Sequence, residues 1–571
     1  MSMDPTPNSA SEDVKTLHSM GYAQELNRRM GAFQNFAISF ALICILSGGL
    51  ASFGVAMSTT GPWGATIGWL IGGVFALIVA ACLGQIASAY PTAGSLYHWS
   101  SILGGRLWGW LTAFTNLLGL LFVIPAVNVI CYGFIRDLFF GGILGWDVSQ
   151  WDDPTVFLNT QAKWVAGIAV AQALLGHFAL KLSTTLLDWA SYLIFGVTIL
   201  FIAMLLFANP HISFDGAFAL ANTTGDPGGG VAPASGIFLA ILMGMLYPLF
   251  TITGFDASAH VAEETQNARS TVHNGMVQSV LWSVIFGFVL ALAMVIALPA
   301  VYSALAADPK QTALSADAMK ALAGIAGGPK PVDMAILGGG SFSVLFNYLI
   351  MPTFLGKVVA VLLIVINFLC ALACMTSASR MVYAFARDGG LPGSSMLSSV
   401  SPKFTTPAYA IWFVSILGVV LTIVTTPLNA FVALSTGSAM YLYVSYAMPT
   451  IAGFFAEGKT WTTFGAFRLG AFSKPAAIVV FIGVSLIVIG GHAFVPSIAA
   501  VAADPNAKPP VAGSPFIPGL WYYTVGFYAI LAIIWFAFEN RRFMGPPVTP
   551  EAIAHRQAII AAKEAAMAAA R

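Results

Sequence analysis

The segment Pro248-Leu-Phe-Thr-Ile-Thr-Gly-Phe-Asp-Ala-Ser-Ala-His-Val-Ala-Glu-Glu264 constrains this chain more than any other. An apolar run that begins near Ile237 and is long enough to cross a bilayer meets Pro248, Thr251, Thr253, Gly254 and Asp256 partway along, a mixture that argues against a continuous helix. In hydrocarbon every backbone N–H and C=O needs a partner, so non-helical backbone at that depth survives only where protein buries it or where it lines a polar cavity. The break therefore predicts a binding site. A second run, Phe33 to Met57, is interrupted by Ser47-Gly48-Gly49 at the corresponding place in the first half of the chain. Paired breaks point to a secondary carrier, because half-helix N-termini offer positive ends to an anionic group and unwound carbonyls receive cations.

Runs of roughly 20 apolar residues, the length that crosses a bilayer core, occur twelve times: about 33–57, 63–88, 107–135, 163–180, 187–208, 236–262, 276–301, 356–384, 408–426, 428–455, 475–495 and 518–538. An even number places both termini on one side. Seventeen of the 24 Lys and Arg then fall on the terminal side, and seven (Arg136, Lys163, Lys310, Lys320, Lys330, Lys357 and Lys508) on the other. By the positive-inside rule the termini are cytoplasmic, and the expected location is the plasma or inner membrane. The first thirty residues are polar and lack the pattern of a cleaved signal peptide. The loops 209–234 and 302–355 are expected to be variable surface, with a short surface helix over Ala304 to Ala326. The Ala-rich stretch from Pro550 to Arg571 is expected to be a cytoplasmic helix.

A hydrophobic share of 58% with only 8% charged residues leaves too little polar surface for a soluble domain of 571 residues. A net charge of +1 without a basic patch gives no sign of a nucleic-acid partner. The five cysteines, Cys44, Cys82, Cys131, Cys370 and Cys374, sit within apolar runs and read as small buried hydrophobes. No His/Cys/carboxylate spacing suits a metal, Gly72-Gly73 matches no nucleotide motif, and no paired nucleophile and base suggests an enzyme.

Three stretches carry a family likeness. They are Ser47-Gly-Gly-Leu-Ala-Ser-Phe-Gly54 with Gly61-Pro62; Gly84-Gln-Ile-Ala-Ser-Ala-Tyr-Pro-Thr-Ala-Gly-Ser-Leu-Tyr-His-Trp99; and Gly254-Phe-Asp-Ala-Ser-Ala-His-Val-Ala-Glu-Glu-Thr265 combined with Ser377-Ala-Ser-Arg-Met-Val-Tyr-Ala-Phe-Ala-Arg-Asp-Gly-Gly-Leu-Pro392. From about Gly21 to Asn540 the chain resembles the amino acid–polyamine–organocation permeases, most closely the amino acid/choline branch that includes GABA and choline permeases. The resemblance implies an all-α integral membrane protein of twelve helices. A five-plus-five inverted repeat of the LeuT-like kind, with helices 1 and 6 broken, would work by alternating access. It divides the chain into a tail (1–30), a first repeat (31–208), a second repeat (209–456), helices 11 and 12 (457–540) and a second tail (541–571). The break in helix 1 falls on Ser47, Gly48 and Gly49, whose N–H groups would hold a substrate carboxylate. The break in helix 6 falls on Phe250, Thr251, Ile252, Thr253, Gly254 and Phe255, whose carbonyls would receive its amino group. Two departures leave the coupling ion, proton or sodium, open: Gln85 stands where many relatives carry an acid, and no lysine lies between Asp188 and Phe207.

Several side chains have competing readings. Asp256, an ionisable group within a span, either caps the second half-helix or handles protons or substrate. His260, one turn later, could pass protons to it or be structural. Glu263 and Glu264 either latch the inner gate to Arg380 or Arg387 or form a solvated helix end. Thr251 and Thr253 either touch substrate or bond back to their own helix, and Phe255 either gates or packs. Thr376 and Ser377 could offer hydroxyls to sodium or bond to neighbouring helices, and Arg387-Asp388-Gly-Gly reads as a plain helix stop. No cofactor is expected. The expected partners are the bilayer and a small amino acid or amine, with choline or a polyamine as the alternative cargo and a channel or non-transporting receptor as the alternative class.

Overall fold

The computed structural model describes residues 7–148, 150–152, 159–209, 212–225, 231, 233–308, 314, 316–325, 327–401, 403–425, 430–503, 520–547 and 550–570. Among these residues the chain is all-helical, its only β features being isolated bridges between Met30 and Thr265 and between Glu457 and Trp461. Ten helices are long and apolar enough to cross a membrane. Nine match expected runs. Of the other three runs, 163–180 forms Thr160–Phe178, 518–538 forms Leu520–Ile534 and continues through Trp535–Glu539, and 236–262 is broken, its longest apolar piece being Ile237–Thr251. Large apolar side chains such as Trp189, Ile199, Phe207 and Phe536 are exposed on the outer surface, as a lipid-facing belt requires.

The tenth membrane-length helix, Asp333–Ile350, corrects the expectation that 302–355 is surface loop. The stretch is kinked at Gly338 (φ 50°), and its backbone is approached closely by the first span. A Cβ added to Gly54 would stand 2.6 Å from the Gly339 Cα, so the second half of the first span, Phe53–Thr59, lies backbone to backbone on this segment. The Ala304–Ala326 expectation also changes: Ala268–Ala307 runs on as one helix, and a separate short helix covers Ala316–Ala323. The 209–234 loop is not merely surface, since the Thr223 hydroxyl donates to the Met57 carbonyl and the Trp63 N–H to the Ala219 carbonyl. It holds the end of the first span.

The second span, Pro62–Ala89, is notched by glycines. Added Cβ atoms would lie 2.9 Å from Met245 Cε at Gly68, 2.6 Å from Pro248 Cγ at Gly72, and 2.6 Å from Val284 Cγ2 at Gly73. The kinked sixth span is seated at Gly68 and Gly72, and the following helix, Ala268–Ala307, at Gly73. At the opposite pole from these packing contacts, Pro7–Ser19 and Pro550–Ala570 meet through His18 Nε2 and Glu564 Oε1 at 2.8 Å, so both ends of the chain share one face. The tail is helical as expected, and it is docked rather than free.

Candidate functional site

The first span winds as Ala32–Ile43, stops at Cys44 in the left-handed region (φ 33°), and restarts as Gly48–Ala51. The unwound residues therefore precede Gly48, one turn before the glycines that announce them in the sequence. The sixth span unwinds after Leu246–Thr251 and resumes at Ala257–His260, ending in the tight turn Ala262–Glu264. Gly254 lies at φ +80°, and a Cβ there would overlap Leu42; only glycine meets both demands. The two breaks face each other directly, for a Cβ on Gly48 would come 3.0 Å from the Thr251 Cα.

Half-helices are sewn across the breaks. Ser39 Oγ donates to the Phe255 carbonyl (2.7 Å) and accepts from the Ser258 N–H (2.9 Å), while Asn35 Nδ2 donates to the Ser258 carbonyl (2.9 Å) and to Thr265 Oγ1 (2.9 Å). The first half of span 1 and the second half of span 6 are thereby one unit. Between the halves, the N–H groups of Gly48, Gly49 and Leu50 find no acceptor among the described residues, as expected of a helix start. The carbonyls of Ile45, Thr251 and Thr253 likewise accept nothing among the described residues. All six residues are buried. Unpaired backbone groups this deep are costly, and here donors cluster on one break and acceptors on both.

The carbonyl expectation needs correcting in three places. The Phe250 carbonyl accepts from Thr253 Oγ1 (2.8 Å), Ile252 from the Tyr443 hydroxyl (2.7 Å), and Phe255 from Ser39. Thr251 and Thr253 use their hydroxyls on their own helix, at the Tyr247 and Phe250 carbonyls. Phe255 packs its ring against Tyr446, with centroids 4.8 Å apart. Thr376 bonds back to the Leu372 carbonyl and lines a cleft with Asp188, Glu264 and Arg380, whereas Ser377 is buried with its hydroxyl unpartnered among the described residues. Ser47 is buried at the foot of the restarted helix.

Asp256 is fully buried and does not cap its helix. Its Oδ1 accepts from the Tyr446 hydroxyl at 2.8 Å, and its Oδ2 lies 3.1 Å from His260 Nε2 and 3.5 Å from Asn116 Nδ2. Tyr446 in turn accepts from the Gly254 N–H at 2.9 Å. The capping expectation fails because the tyrosine, amide and imidazole outcompete the local N–H groups.

Toward the terminal face, the paired glutamates form buried ion pairs with the two arginines rather than a solvated helix end. Arg387 grips Glu263 with two bonds (2.9 and 3.0 Å), and Arg380 grips Glu264 (2.8 and 3.4 Å). All four side chains are nearly inaccessible. The Arg387 guanidinium also stacks on Tyr22, 3.9 Å from its centroid, so Arg387 is more than a helix stop. Asp388 accepts from Tyr22 (2.6 Å), Tyr97 (3.0 Å) and Arg556 of the C-terminal helix (3.1 Å). Arg28 donates to the Ala262 and Thr265 carbonyls. Neighbouring His98, in the Ser95–Gly104 helix between spans, has its basicity pushed down to about 4 by burial, with Asp388 pulling the other way.

Sequence reasoning missed Tyr443, Tyr446, Ser39, Asn35 and Tyr22. Tyr441, on the same helix as Tyr443 and Tyr446, turns to Thr524. The signal was there in Tyr441-Leu-Tyr-Val-Ser-Tyr446, three tyrosines in an apolar run, of which the second and third turn toward span 6. Gln85, weighed for a proton role, ties Leu469 N–H (2.7 Å) and Ser473 to the second span.

A bundle of membrane-length helices with two apposed breaks around a buried polar centre defines the chain as a membrane transporter. Residues 30–527 match the family model for amino acid permeases, and the chain belongs to that family. It is similar to the amino-acid permease BAT1 homolog of Oryza sativa subsp. japonica, 29% identical over 80% of this chain and 82% of that one. It is also similar to the thiamine transporter thi9 of Schizosaccharomyces pombe, 25% identical over 82% of this chain and 78% of that one. A crystal structure of MhsT in complex with L-phenylalanine aligns with a TM-score of 0.48 and 14% identity over 80% of this chain and 97% of that one.

Proposed function

We propose that the chain carries an amino acid or a related amine-bearing solute such as GABA, by proton-coupled alternating access, across the plasma or inner membrane with both termini cytoplasmic. The observation that carries this reading is the pairing of unsatisfied N–H groups at Gly48 and Gly49 with unsatisfied carbonyls at Thr251 and Thr253. A zwitterion presents an acceptor and a donor a few ångströms apart and suits both sets, while the helix start adds a positive end for the carboxylate. The match of residues 30–527 to the amino acid permeases supports the same cargo class.

A cation without a carboxylate, such as choline or a polyamine, is the second reading, favoured by the likeness to a thiamine transporter. Against it, the buried Asp256 already serves Tyr446, His260 and Asn116 rather than standing open to a cation. One proton moved through a potential of about 100 mV supplies about 2.3 kcal/mol, enough for roughly 50-fold accumulation.

The test is uptake into proteoliposomes of labelled neutral, cationic and acidic amino acids, GABA, choline, putrescine and thiamine, with and without an inward proton gradient and without sodium. Accumulation of one carboxylate-bearing compound only under the gradient is the expected result. Movement of choline, putrescine or thiamine alone, or a need for sodium, overturns it. Counterflow of labelled against unlabelled cargo separates a carrier from a channel or a non-transporting receptor.

A further inference from the structure

Where the contacts on both ring nitrogens of His260 are hydrogen bonds, they set how many protons the Asp256–His260 pair holds. The Ala93 carbonyl, 3.3 Å from His260 Nδ1, can only accept, so Nδ1 bears a hydrogen. The Gly254 N–H donates to the Tyr446 oxygen, leaving the tyrosine hydrogen for Asp256 Oδ1. What remains is the 3.1 Å contact between His260 Nε2 and Asp256 Oδ2. With Nδ1 already protonated, that contact is a hydrogen bond only if one further proton lies in it, on either atom. The pair as built is therefore neutral overall. Removing the proton would leave a lone pair facing a carboxylate at zero exposure, with a net buried negative charge.

We infer that the Asp256–His260 contact is the seat of the transported proton, and that its release is geared to the gate on the terminal face through the backbone at Ala93, whose N–H and C=O sit on successive peptides. This rests on the proton-coupled reading above. The gearing is geometric: Ala93 gives its carbonyl to His260 and its N–H to Glu263 Oε1 (3.2 Å), and Glu263 is the carboxylate that Arg387 grips. Opening the Glu263–Arg387 latch frees the backbone on both sides of the Ala93 Cα, removes the acceptor of Nδ1–H and admits water to a proton that the closed protein keeps. The proton enters the Nε2/Oδ2 contact from water on one side and leaves to water on the other. An N–H or O–H bond forms as hydronium on one side gives up the proton, the same bond breaks when water on the other side takes it, and nothing is oxidised or reduced.

Other groups that face the pair set its environment. Tyr446 comes from the Ala430–Ala456 helix and Asn116 from Arg106–Phe134. Asn35 and Ser39 on Ala32–Ile43 are uncharged. Arg380, Tyr383 and Arg387 lie on Phe354–Arg387, and Arg28 reaches in from the N-terminal segment, these cations being matched by Glu263 and Glu264.

The experiment uses the full chain in proteoliposomes with the cargo found in the uptake panel. It compares exchange at equal pH with accumulation under an inward proton gradient, for wild type, His260→Gln, Asp256→Asn and Tyr446→Phe. In His260→Gln and Asp256→Asn, gradient-driven accumulation is expected to fall at least about tenfold more than exchange does. Tyr446→Phe takes a hydrogen-bond donor from the carboxylate, and the pH midpoint of exchange is expected to move up. Equal loss of both activities, or an unmoved midpoint in Tyr446→Phe, means a structural role and overturns the assignment. If His260→Gln fails to fold, the Tyr446→Phe midpoint alone decides. Wild type insensitive to the gradient sinks the proton-coupled reading itself, whereas a responsive wild type with a responsive His260→Gln sinks only this seat.

Discussion

The midplane and the terminal face of this protein are closed by different chemistry. Around the two breaks, contacts are single neutral hydrogen bonds, such as Tyr443 to the Ile252 carbonyl and Ser39 to the Phe255 carbonyl, and several backbone groups stay unpaired. At the terminal face, two arginines hold two glutamates by paired bonds at almost no exposure, and Tyr22, Asp388 and Arg556 add a further layer. Neutral single bonds, each worth about 1 kcal/mol net, can be traded for bonds to cargo at little cost. A buried ion pair is all or nothing, because breaking it strands two charges. Under the proposed function, the difference would separate a place that exchanges partners from one that is either shut or open.

The largest effect expected is at the midplane. Gly48→Leu drives a side chain into the Thr251 backbone and should cut cargo binding by about 100-fold while the chain still reaches the membrane, read by binding to purified protein. Normal binding would remove the breaks as the site. Next, Arg387→Ala strands Glu263 and should destabilise the closed state by about 3–5 kcal/mol, seen as a lower melting temperature in detergent and faster labelling of cysteines introduced below Asp256. Adding Glu263→Gln should recover part of that loss; no recovery would mean the latch is not a coupled pair.

A smaller effect is expected from Tyr443→Phe, which frees the Ile252 carbonyl without touching charge: about a fivefold change in KM with kcat kept. A change as large as that of Gly48→Leu would blur the contrast between the two regions. The smallest is a pH effect. His98 is buried and neutral with its basicity held to about 4, below the usual value near 6.5. Its contribution to stability is complete above pH 6.5 and is lost as the pH falls toward 4. Thermal stability should decline over that window, and His98→Gln should flatten the decline.

Much of this architecture could be read from local sequence, because length and apolarity dictate membrane helices and because Pro248 and Gly254 cannot continue one. Legibility failed where the controlling partner is remote. The 302–355 stretch looks like surface loop until Gly54 is seen to lie against the Gly338 and Gly339 backbone. Asp256 looks like a cap until Tyr446, 190 residues away, takes its Oδ1. Arg387 looks like a helix stop until Glu263 and Tyr22 enclose it. The sequence placed the first break on Ser47 to Gly49, but glycines begin the restarted helix and the unwound residues precede them, since Cys44 takes the left-handed turn that glycine would have advertised. Glu263 and Glu264 were legible as a latch because two arginines lay at a helix end facing them.

The glycine notches of the second span bear on how the chain is made. Gly68, Gly72 and Gly73 form a groove whose occupants, Met245, Pro248 and Val284, are encoded roughly 170 to 210 residues later. At a synthesis rate of about 5–20 residues per second, the second span stands in the bilayer for roughly 10–40 seconds before its partners emerge. During that interval only lipid tails or the membrane-insertion machinery can fill the groove. Larger residues at these positions would thus meet their conflict late in biogenesis, as full-length chains that insert every helix and then fail to close.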